Sequence, residues 1–465
     1  MQAPFVDPLL NLDVVNKVLP LVGREQEMQV VRLVLNTVLE DVPTGARALT
    51  ISGEMGAGKS RLLAEMLSEA RRMGFRALEG RTYALGRSLP YLPFIEALRP
   101  LLRSATLHHY MGLQPDPHNG GPYISHPDAQ PVETPLLGAG SLVGMPLVAA
   151  LSRLFPELLN IPGVSVTTEV LSPEQEKFRL MDAVATLLEQ VAKEQPVLLA
   201  LDNLQWADSA SLELTMYLTV RLRSSRVALV GVTRPQVHGR DDADEEVTTP
   251  NASRHATQAL SELIRQRLLL FLPLGPLDRE AMEEHTHALL PGKLAQGVAQ
   301  SLLERAGGNP FFLEELVRTM TLHRQLVLRE GMWHLHAGMS PILPESITLA
   351  VEQRLDELSG DCRELLRVAA LFGRAFPLLA LQRVYEQMDV LPLIEEAIQA
   401  HIVAVVTPAD TPDAYQPEYI GPVTTSELAP ASYMFCQGIV QEVLRAEVPA
   451  GKVRFLRSSR PIRAT

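Results

Sequence analysis

Through about the first 275 residues, short apolar runs alternate with segments whose apolar residues recur at helical spacing. Short apolar runs are typical of strands, and the longer periodic segments between them are typical of amphipathic helices. The runs PVLLALD (196–202) and RVALVGVT (226–233) are apolar almost throughout, as expected for strands covered on both faces. This alternation predicts an α/β fold with a parallel sheet and helices on both faces. The predicted strands are 47–52, 75–80, 196–202, 226–233 and 267–274.

After residue 276 the pattern changes to short helices, followed by a hairpin that turns at Glu330–Gly331. Further helices begin at Leu343, and HIVAVVTP (401–408) and SYMFC (432–436) predict two paired strands ahead of a last helix. Helices followed by a small wing favour a winged-helix domain. The predicted organisation is a leader at 1–19, an α/β domain at 20–275, a helical lid and hairpin at 276–340, a winged-helix-like domain at 341–450 and a basic tail at 451–465.

Composition narrows the class of protein. The stretch at about 112–135 is rich in Pro and Gly, and the stretch at about 239–257 is rich in acidic residues. Both compositions predict irregular insertions. The 465-residue chain has a formal net charge of −12, which argues against a broad nucleic-acid-binding surface. It has two cysteines, Cys362 and Cys436, too few for a disulfide framework. Because no apolar run reaches the roughly 18 residues of a membrane span and no signal peptide is evident, we expect a cytoplasmic protein without a membrane partner.

The segment GEMGAGKS, Gly53–Ser60, lies between the first predicted strand and a helical segment. It fits the pattern G-x-x-x-x-G-K-[S/T] in the strand–loop–helix context that makes the match specific. Gly53, Gly56 and Gly58 let backbone N–H groups converge on an anion, and the start of the helix adds its positive dipole end. Lys59 can reach β- and γ-phosphates, and Ser60 can ligate Mg²⁺. The motif predicts a nucleoside triphosphate site.

A carboxylate for the metal is expected at the end of a neighbouring strand, and Asp202 ends the run at 196–202. The next residue, Asn203, can orient a water molecule but cannot take its proton at neutral pH. Asp208 can act as a water orienter or base, or alternatively as the N-cap of the helix that follows. Thr233 and Arg234 lie at the carboxyl end of the next strand, where Arg234 can sense the γ-phosphate or simply be exposed.

These motifs occur in the order found in a known family. The chain resembles the STAND class of signal-transduction ATPases, in the subgroup of bacterial predicted ATPases fused to nucleotide cyclases or helix-turn-helix regulators. The AAA-type P-loop domain of that subgroup also resembles the origin-recognition ATPases. The segments that carry the resemblance are LVGREQE (21–27), GEMGAGKSRLL (53–63), GRSLPYLPFIEALRPLL (86–102), residues 200–218 with their Q-W-A-D element, GGNPFFLEELVR (307–318) and residues 343–376.

The resemblance implies that ATP and Mg²⁺ are bound, that residues 22–24 lie near the adenine and that Pro310 packs on the base. Ser60 and Asp202 are the implied magnesium ligands. The expected nucleotide contacts are Val22, Gly23, Arg24, Gly53, Glu54, Met55, Gly56, Ala57, Gly58, Lys59, Ser60, Arg61, Thr233 and Pro310. The expected catalytic residues are Lys59, Asp202, Asn203, Asp208 and Arg234.

Two positions depart from the family pattern. Asn203 replaces an acid, so we expect slow hydrolysis. Gln437 stands where relatives carry a winged-helix histidine that senses the phosphates. The other histidines form no convincing metal site: His285 and His287, two residues apart on a predicted helix, face different sides.

The leading hypothesis is an ATP-dependent switch whose nucleotide state controls domain packing. It would act on an unidentified protein partner or on a missing output or repeat domain, since the chain ends without the repeats of most relatives. Nucleotide-dependent self-association is compatible with this hypothesis. The alternatives are a scaffold that holds ATP or ADP without hydrolysis and a winged-helix DNA-binding regulator, which the charge does not favour.

Overall fold

The computed structural model describes residues 19–40, 42, 45–83, 89–102, 147–160, 172–234, 263–336, 343–385, 389–406 and 432–448. The predicted insertions, the basic tail and all of the leader except residue 19 lie outside these ranges. Within the described ranges, no helix combines the length and the apolar character that crossing a bilayer requires.

Five parallel strands form the central sheet, and every predicted strand is present. β1 (Ala48–Gly53), β2 (Arg76–Arg81), β3 (Val197–Asp202), β4 (Val227–Thr233) and β5 (Leu269–Leu274) lie in the order β2-β3-β4-β1-β5. All residues of β1 and β3 are buried, because helices cover both faces of the sheet. The prediction of an α/β fold with a parallel sheet is therefore confirmed.

The helices divide between the two faces of the sheet. One face carries α1 (Glu25–Leu39) and α2 (Lys59–Arg72); the other carries α3 (Leu92–Leu102), α4 (Pro173–Glu194) and α5 (Ser209–Arg221). Successive strand residues point to opposite faces, so Leu198 joins one core and Leu199 the other. Since the strands are parallel, the carboxyl ends of β1, β3 and β4 meet at the same edge of the sheet.

A helical part with a small sheet follows β5. It contains α6 (Arg279–Leu289), β6 (Lys293–Leu294), α7 (Val298–Ala306), α8 (Pro310–Leu322), β7 (Leu326–Arg329) and β8 (Met332–Leu335). The three strands lie in the order β6-β8-β7. The β7–β8 hairpin turns at Glu330 and Gly331, both with positive φ, which confirms the predicted turn.

The described residues of the C-terminal part form five helices and a second small sheet. It contains α9 (Glu345–Leu355), α10 (Gly360–Ala369), β9 (Ala375–Pro377), α11 (Leu378–Val384), α12 (Leu391–Gln399), β10 (Val403–Val405), β11 (Ser432–Phe435) and α13 (Gly438–Ala446). β11 pairs antiparallel with β10 and β9, and Val405 lies opposite Tyr433. The predicted pairing of the last two strands is confirmed. One continuous hydrophobic core joins this part to α6–α8; the winged-helix assignment and the domain boundaries stay predictions.

Candidate functional site

The loop between β1 and α2 has the backbone conformation of an anion cradle. Gly56 and Gly58 have φ of 81° and 93°, a region that favours glycine. Gly58 is the N-cap of α2 and has no side chain to cap it, so the first N–H groups of the helix face the loop. Those N–H groups and the helix dipole favour a negatively charged ligand at this end.

Lys59 is held at the centre of this loop. Its Nζ donates to the carbonyl oxygens of Gly53 at 2.7 Å and Glu54 at 2.8 Å. Burial, and next the neighbouring Arg234 guanidinium, lower the pKa of Lys59 to about 8, while Glu54 and Asp202 raise it. The ammonium is therefore poised to exchange two carbonyl oxygens for phosphate oxygens, which are better partners because they are charged.

The side chains of Ser60 and Asp202 are in contact. Ser60 lies in the helix that follows β1, and Asp202 ends β3, which is separated from β1 by β4. The Ser60 hydroxyl donates to Asp202 Oδ2 at 3.1 Å, and the backbone N–H of Asn203 donates to Oδ1 at 2.9 Å. Asp202 is buried. A hydroxyl and a carboxylate in contact are hard oxygen donors of the kind that Mg²⁺ prefers, so this pair fits the metal that the sequence predicts.

The two polar residues after Asp202 occupy different positions. Asn203 has a φ of 62°, lines the cavity described below and accepts a hydrogen bond from Gln205 Nε2 at 3.3 Å. Asp208 is the N-cap of α5: it accepts from the N–H and the hydroxyl of Ser211 and from the N–H of Tyr91. The geometry thus favours the capping interpretation of Asp208, and its role in catalysis stays a prediction.

A cavity of about 320 Å³ opens above the loop. It brings together twelve of the predicted residues: Val22, Arg24, Met55, Gly56, Ala57, Gly58, Lys59, Ser60, Arg61, Asn203, Arg234 and Pro310. The other predicted residues are not among those that line it: Gly23, Gly53, Glu54, Asp202, Asp208 and Thr233. Asp202 nevertheless reaches the cavity wall through Ser60.

The N-terminal segment is fixed to the site by Arg24 and Gly23. Arg24 Nη2 donates to the carbonyl oxygens of Ala57 at 3.1 Å and Gly275 at 2.6 Å, so it ties the segment to the loop and to the end of β5. Gly23 has a φ of 64°, and a Cβ there would lie 2.3 Å from that of Ala281. This close approach to α6 brings the neighbouring Val22 to the cavity wall.

The N-terminus of α8 contacts the loop from the opposite side. The Asn309 side chain caps the helix by accepting from the N–H of Phe312, and its Nδ2 donates to the Met55 carbonyl at 2.9 Å. The N–H of Phe311 donates to the Gly56 carbonyl at 3.4 Å. Pro310, at the first position of α8, therefore lies beside the loop and lines the cavity; its packing on the base stays a prediction.

Arg234 connects the end of β4 with two other elements. Its guanidinium carbon lies 5.7 Å from the ring centroid of Trp206, and Nη1 donates to Gln353 of α9 at 3.4 Å. Cation–π contact with Trp206 orients the guanidinium toward the cavity, which Arg234 lines.

Three site residues were missed by the sequence analysis. His285 of α6 and Glu314 of α8 line the cavity and contact each other, whereas His287 is exposed on another side of α6, as predicted. Arg354 of α9 is buried and contacts the loop residue Glu54. The sequence contains a signal for Arg354. It lies three and four residues after the apolar Val351 and Ala350, on the same buried face of the helix, and an arginine on such a face requires buried partners.

The sheet, the loop and the Ser60–Asp202 pair define a P-loop nucleotide-binding domain. Residues 20–232 match the AAA ATPase domain family. A protein of Rhizobium meliloti (strain 1021), described as uncharacterised, is 25% identical over 355 residues, which cover 76% of this chain and 30% of that protein. The chain thus spans less than a third of the length of that relative.

Two solved structures show more distant similarity over most of the chain. The Orc1 protein of Aeropyrum pernix, solved in complex with DNA, has 16% identity and a TM-score of 0.36, covering 94% of this chain and 96% of that chain. A STAND protein of Pyrococcus horikoshii with a tetratricopeptide repeat sensor has 11% identity and a TM-score of 0.29, covering 96% of this chain and 46% of that chain.

Proposed function

We propose that the chain is an ATP-dependent switch. ATP and Mg²⁺ bind in the cavity, slow hydrolysis resets the site, and the nucleotide state changes how the C-terminal helices pack against the loop. The change is passed in the cytoplasm to a protein partner, to a further domain or to a second copy of the chain. The AAA ATPase domain supports nucleotide binding, and a contact between the loop and the C-terminal part supports the switch.

That contact is the Arg354 bridge, formed by Glu54, Arg354, Gln437 and the carbonyls of Ala400 and His401. Arg354 Nε lies 3.3 Å from Glu54 Oε2, and Nη1 donates to Gln437 Oε1 at 3.0 Å. Nη2 donates to the Ala400 carbonyl at 3.3 Å and to the His401 carbonyl at 3.2 Å. The bridge therefore joins the start of the phosphate loop to α9, to the end of α12 and to the residue before α13.

The residues of the site can couple nucleotide to this bridge. The Lys59 ammonium, which now bonds the Gly53 and Glu54 carbonyls, would turn to the phosphates and free the backbone beside Glu54. Arg234, which bonds Gln353 next to Arg354, would be drawn toward the γ-phosphate. Mg²⁺ held by Ser60 and Asp202 would supply charge neutralisation at the phosphate oxygens. The two movements would weaken the contacts of α9 with the loop and with the end of β4.

Nucleotide titration of Lys59→Ala tests the binding step. Loss of one charge-assisted contact should weaken ATP binding about 10- to 100-fold. Lys193→Ala is the control, because Lys193 is an exposed lysine on α4, far from the loop in the fold. Equal ATP affinity of Lys59→Ala and wild type, in a folded variant, would contradict the proposal.

A scaffold without hydrolysis is the second candidate, because Asn203 cannot accept a proton from water. Among the described residues that line the cavity, the one carboxylate is Glu314, and it is paired with His285. Phosphate release at saturating ATP separates the two candidates. The switch predicts slow release that increases in Asn203→Asp, whereas the scaffold predicts none in the wild type.

A further inference from the structure

A histidine–glutamate pair lies in the cavity on elements that follow the β5 strand. His285 Nε2 and Glu314 Oε1 are 3.0 Å apart, and both residues line the cavity. The His285 side chain is 7% exposed and that of Glu314 is 45% exposed. The pair therefore has a buried member held in α6 and a more exposed member, whose two carboxylate oxygens have further lone pairs that can bind a ligand.

The position of Glu314 along α8 sets its distance from the phosphate loop. The N-terminus of α8 contacts the loop, and the Cγ of Pro310 would lie 4.0 Å from a Cβ at Gly58. Glu314 is one turn further along the same helix face, and four residues advance a helix by about 6 Å. In a nucleotide the sugar follows the phosphates, so a nucleotide whose phosphates lie on Gly58 and Lys59 can bring its sugar to Glu314.

The rest of the cavity wall on this side offers few hydrogen bonds from side chains. Leu21, Val22, Leu277 and Phe311 are apolar and suit the faces of a base. An ionised carboxylate only accepts hydrogen bonds, and its two oxygens match two adjacent hydroxyl groups. A pair of vicinal hydroxyls is what a ribose presents and a deoxyribose lacks.

We propose that Glu314 accepts hydrogen bonds from the ribose hydroxyls of the nucleotide and that His285 is a positioning residue that orients its carboxylate. This assignment rests on the proposed nucleotide site and adds the sugar as a determinant of specificity. The site then selects ribonucleotides over 2′-deoxyribonucleotides. His285 acts through Glu314, because its Nε2 lies against Oε1 and its ring is buried.

The test compares the affinities of ATP and 2′-deoxy-ATP in the full chain. Loss of one hydrogen bond to a charged group predicts about a tenfold preference of the wild type for ATP. Glu314→Ala should bind both nucleotides equally. Glu283→Gln is the matched control, because Glu283 lies on α6 with a side chain that is also 45% exposed, and it should keep the preference. His285→Leu should reduce the preference, and His285→Gln, which retains a donor, should restore much of it.

Three results would overturn the assignment. The wild type could bind ATP and 2′-deoxy-ATP with equal affinity, or the preference for ATP could survive in Glu314→Ala. The third result is that Glu314→Ala changes the preference between ATP and inosine triphosphate but leaves the sugar preference unchanged. The last result would make Glu314 a reader of the base. These failures are distinct from failure of the nucleotide site itself, in which neither ATP nor 2′-deoxy-ATP binds the wild type and both proposals fall.

Discussion

Replacing Glu54 by glutamine tests the Arg354 bridge with the smallest change of shape. The substitution removes one charge, while Arg354 keeps Gln437 and two carbonyls as acceptors and so is not left without partners. The Arg354 side chain is 6% exposed and that of Glu54 is 31% exposed, so the pair lies between surface and buried ion pairs. We expect a loss of about 1–2 kcal/mol in the contact, which shifts its opening equilibrium about 5- to 30-fold.

Thiol labelling reports opening of the bridge directly, because Cys436 precedes Gln437 in the chain. Burial raises the pKa of Cys436, although Arg354 and Arg374 oppose the shift, so this partly buried thiol should react slowly as long as the residues around it stay packed. Cys362 is an internal reference: it is buried in α10, and burial raises its pKa to about 12. In Glu54→Gln the labelling rate of Cys436 should rise about 5- to 30-fold, and that of Cys362 should stay low.

Because opening of the bridge and ATP binding are coupled in the proposed switch, a change in one requires a change in the other. If ATP favours the open bridge, Glu54→Gln should bind ATP more tightly by up to the same factor. Glu447→Gln is the control, since Glu447 pairs with Arg363 and Arg367 inside the C-terminal part and has no contact with the loop. The reasoning is refuted if Glu54→Gln and Glu447→Gln match the wild type in both Cys436 labelling and ATP affinity.

Three further predictions concern stability. Lys59→Met should stabilise the nucleotide-free protein by up to about 3 kcal/mol at neutral pH. Burial lowers the Lys59 pKa from 10.5 to about 8 in the folded protein, so the wild type should recover this difference as pH rises through that interval in unfolding titrations. Gly23→Ala should lower the free energy of unfolding by about 2–4 kcal/mol, because the backbone has a positive φ and the new Cβ clashes with Ala281. The control is Gly74→Ala, which also has a positive φ but lies in open space and should lose about 1 kcal/mol. Thermal unfolding measures both changes. Asp208→Ala should lose about 1 kcal/mol as a cap and keep the phosphate-release rate of the wild type; a large loss of rate at unchanged stability would restore Asp208 as a base.

The sheet and the loop could be predicted because their determinants are local. Each strand is a short apolar run, and GEMGAGKS places its glycines and lysine within eight consecutive positions. Asp202 ends a buried strand, and this position predicted that it lies near Ser60 as a second magnesium ligand; the two side chains are in contact. The hairpin turn at Glu330–Gly331 followed from the same kind of short-range pattern.

The Arg354 bridge and the His285–Glu314 pair could not be predicted in the same way. Glu54 and Arg354 lie 300 positions apart in the numbering, and no spacing rule joins a loop residue to a helix in another part of the chain. The spacing along α6 relates His285 only to His287, whereas its partner lies on α8. Such contacts depend on how α6, α8 and α9 pack around the loop, which local patterns do not encode.

The register of the C-terminal sheet has a practical consequence for experiments on this protein. The chain leaves β10 at Val405 and returns to β11 opposite it, at Tyr433. Because both ends of the intervening segment are anchored side by side, its length is not constrained by the sheet, and doubling it should cost only about 0.6 kcal/mol in closure entropy. An affinity tag or a fluorescent protein inserted between these strands would therefore mark the C-terminal part without changing the pairing of β10 with β11.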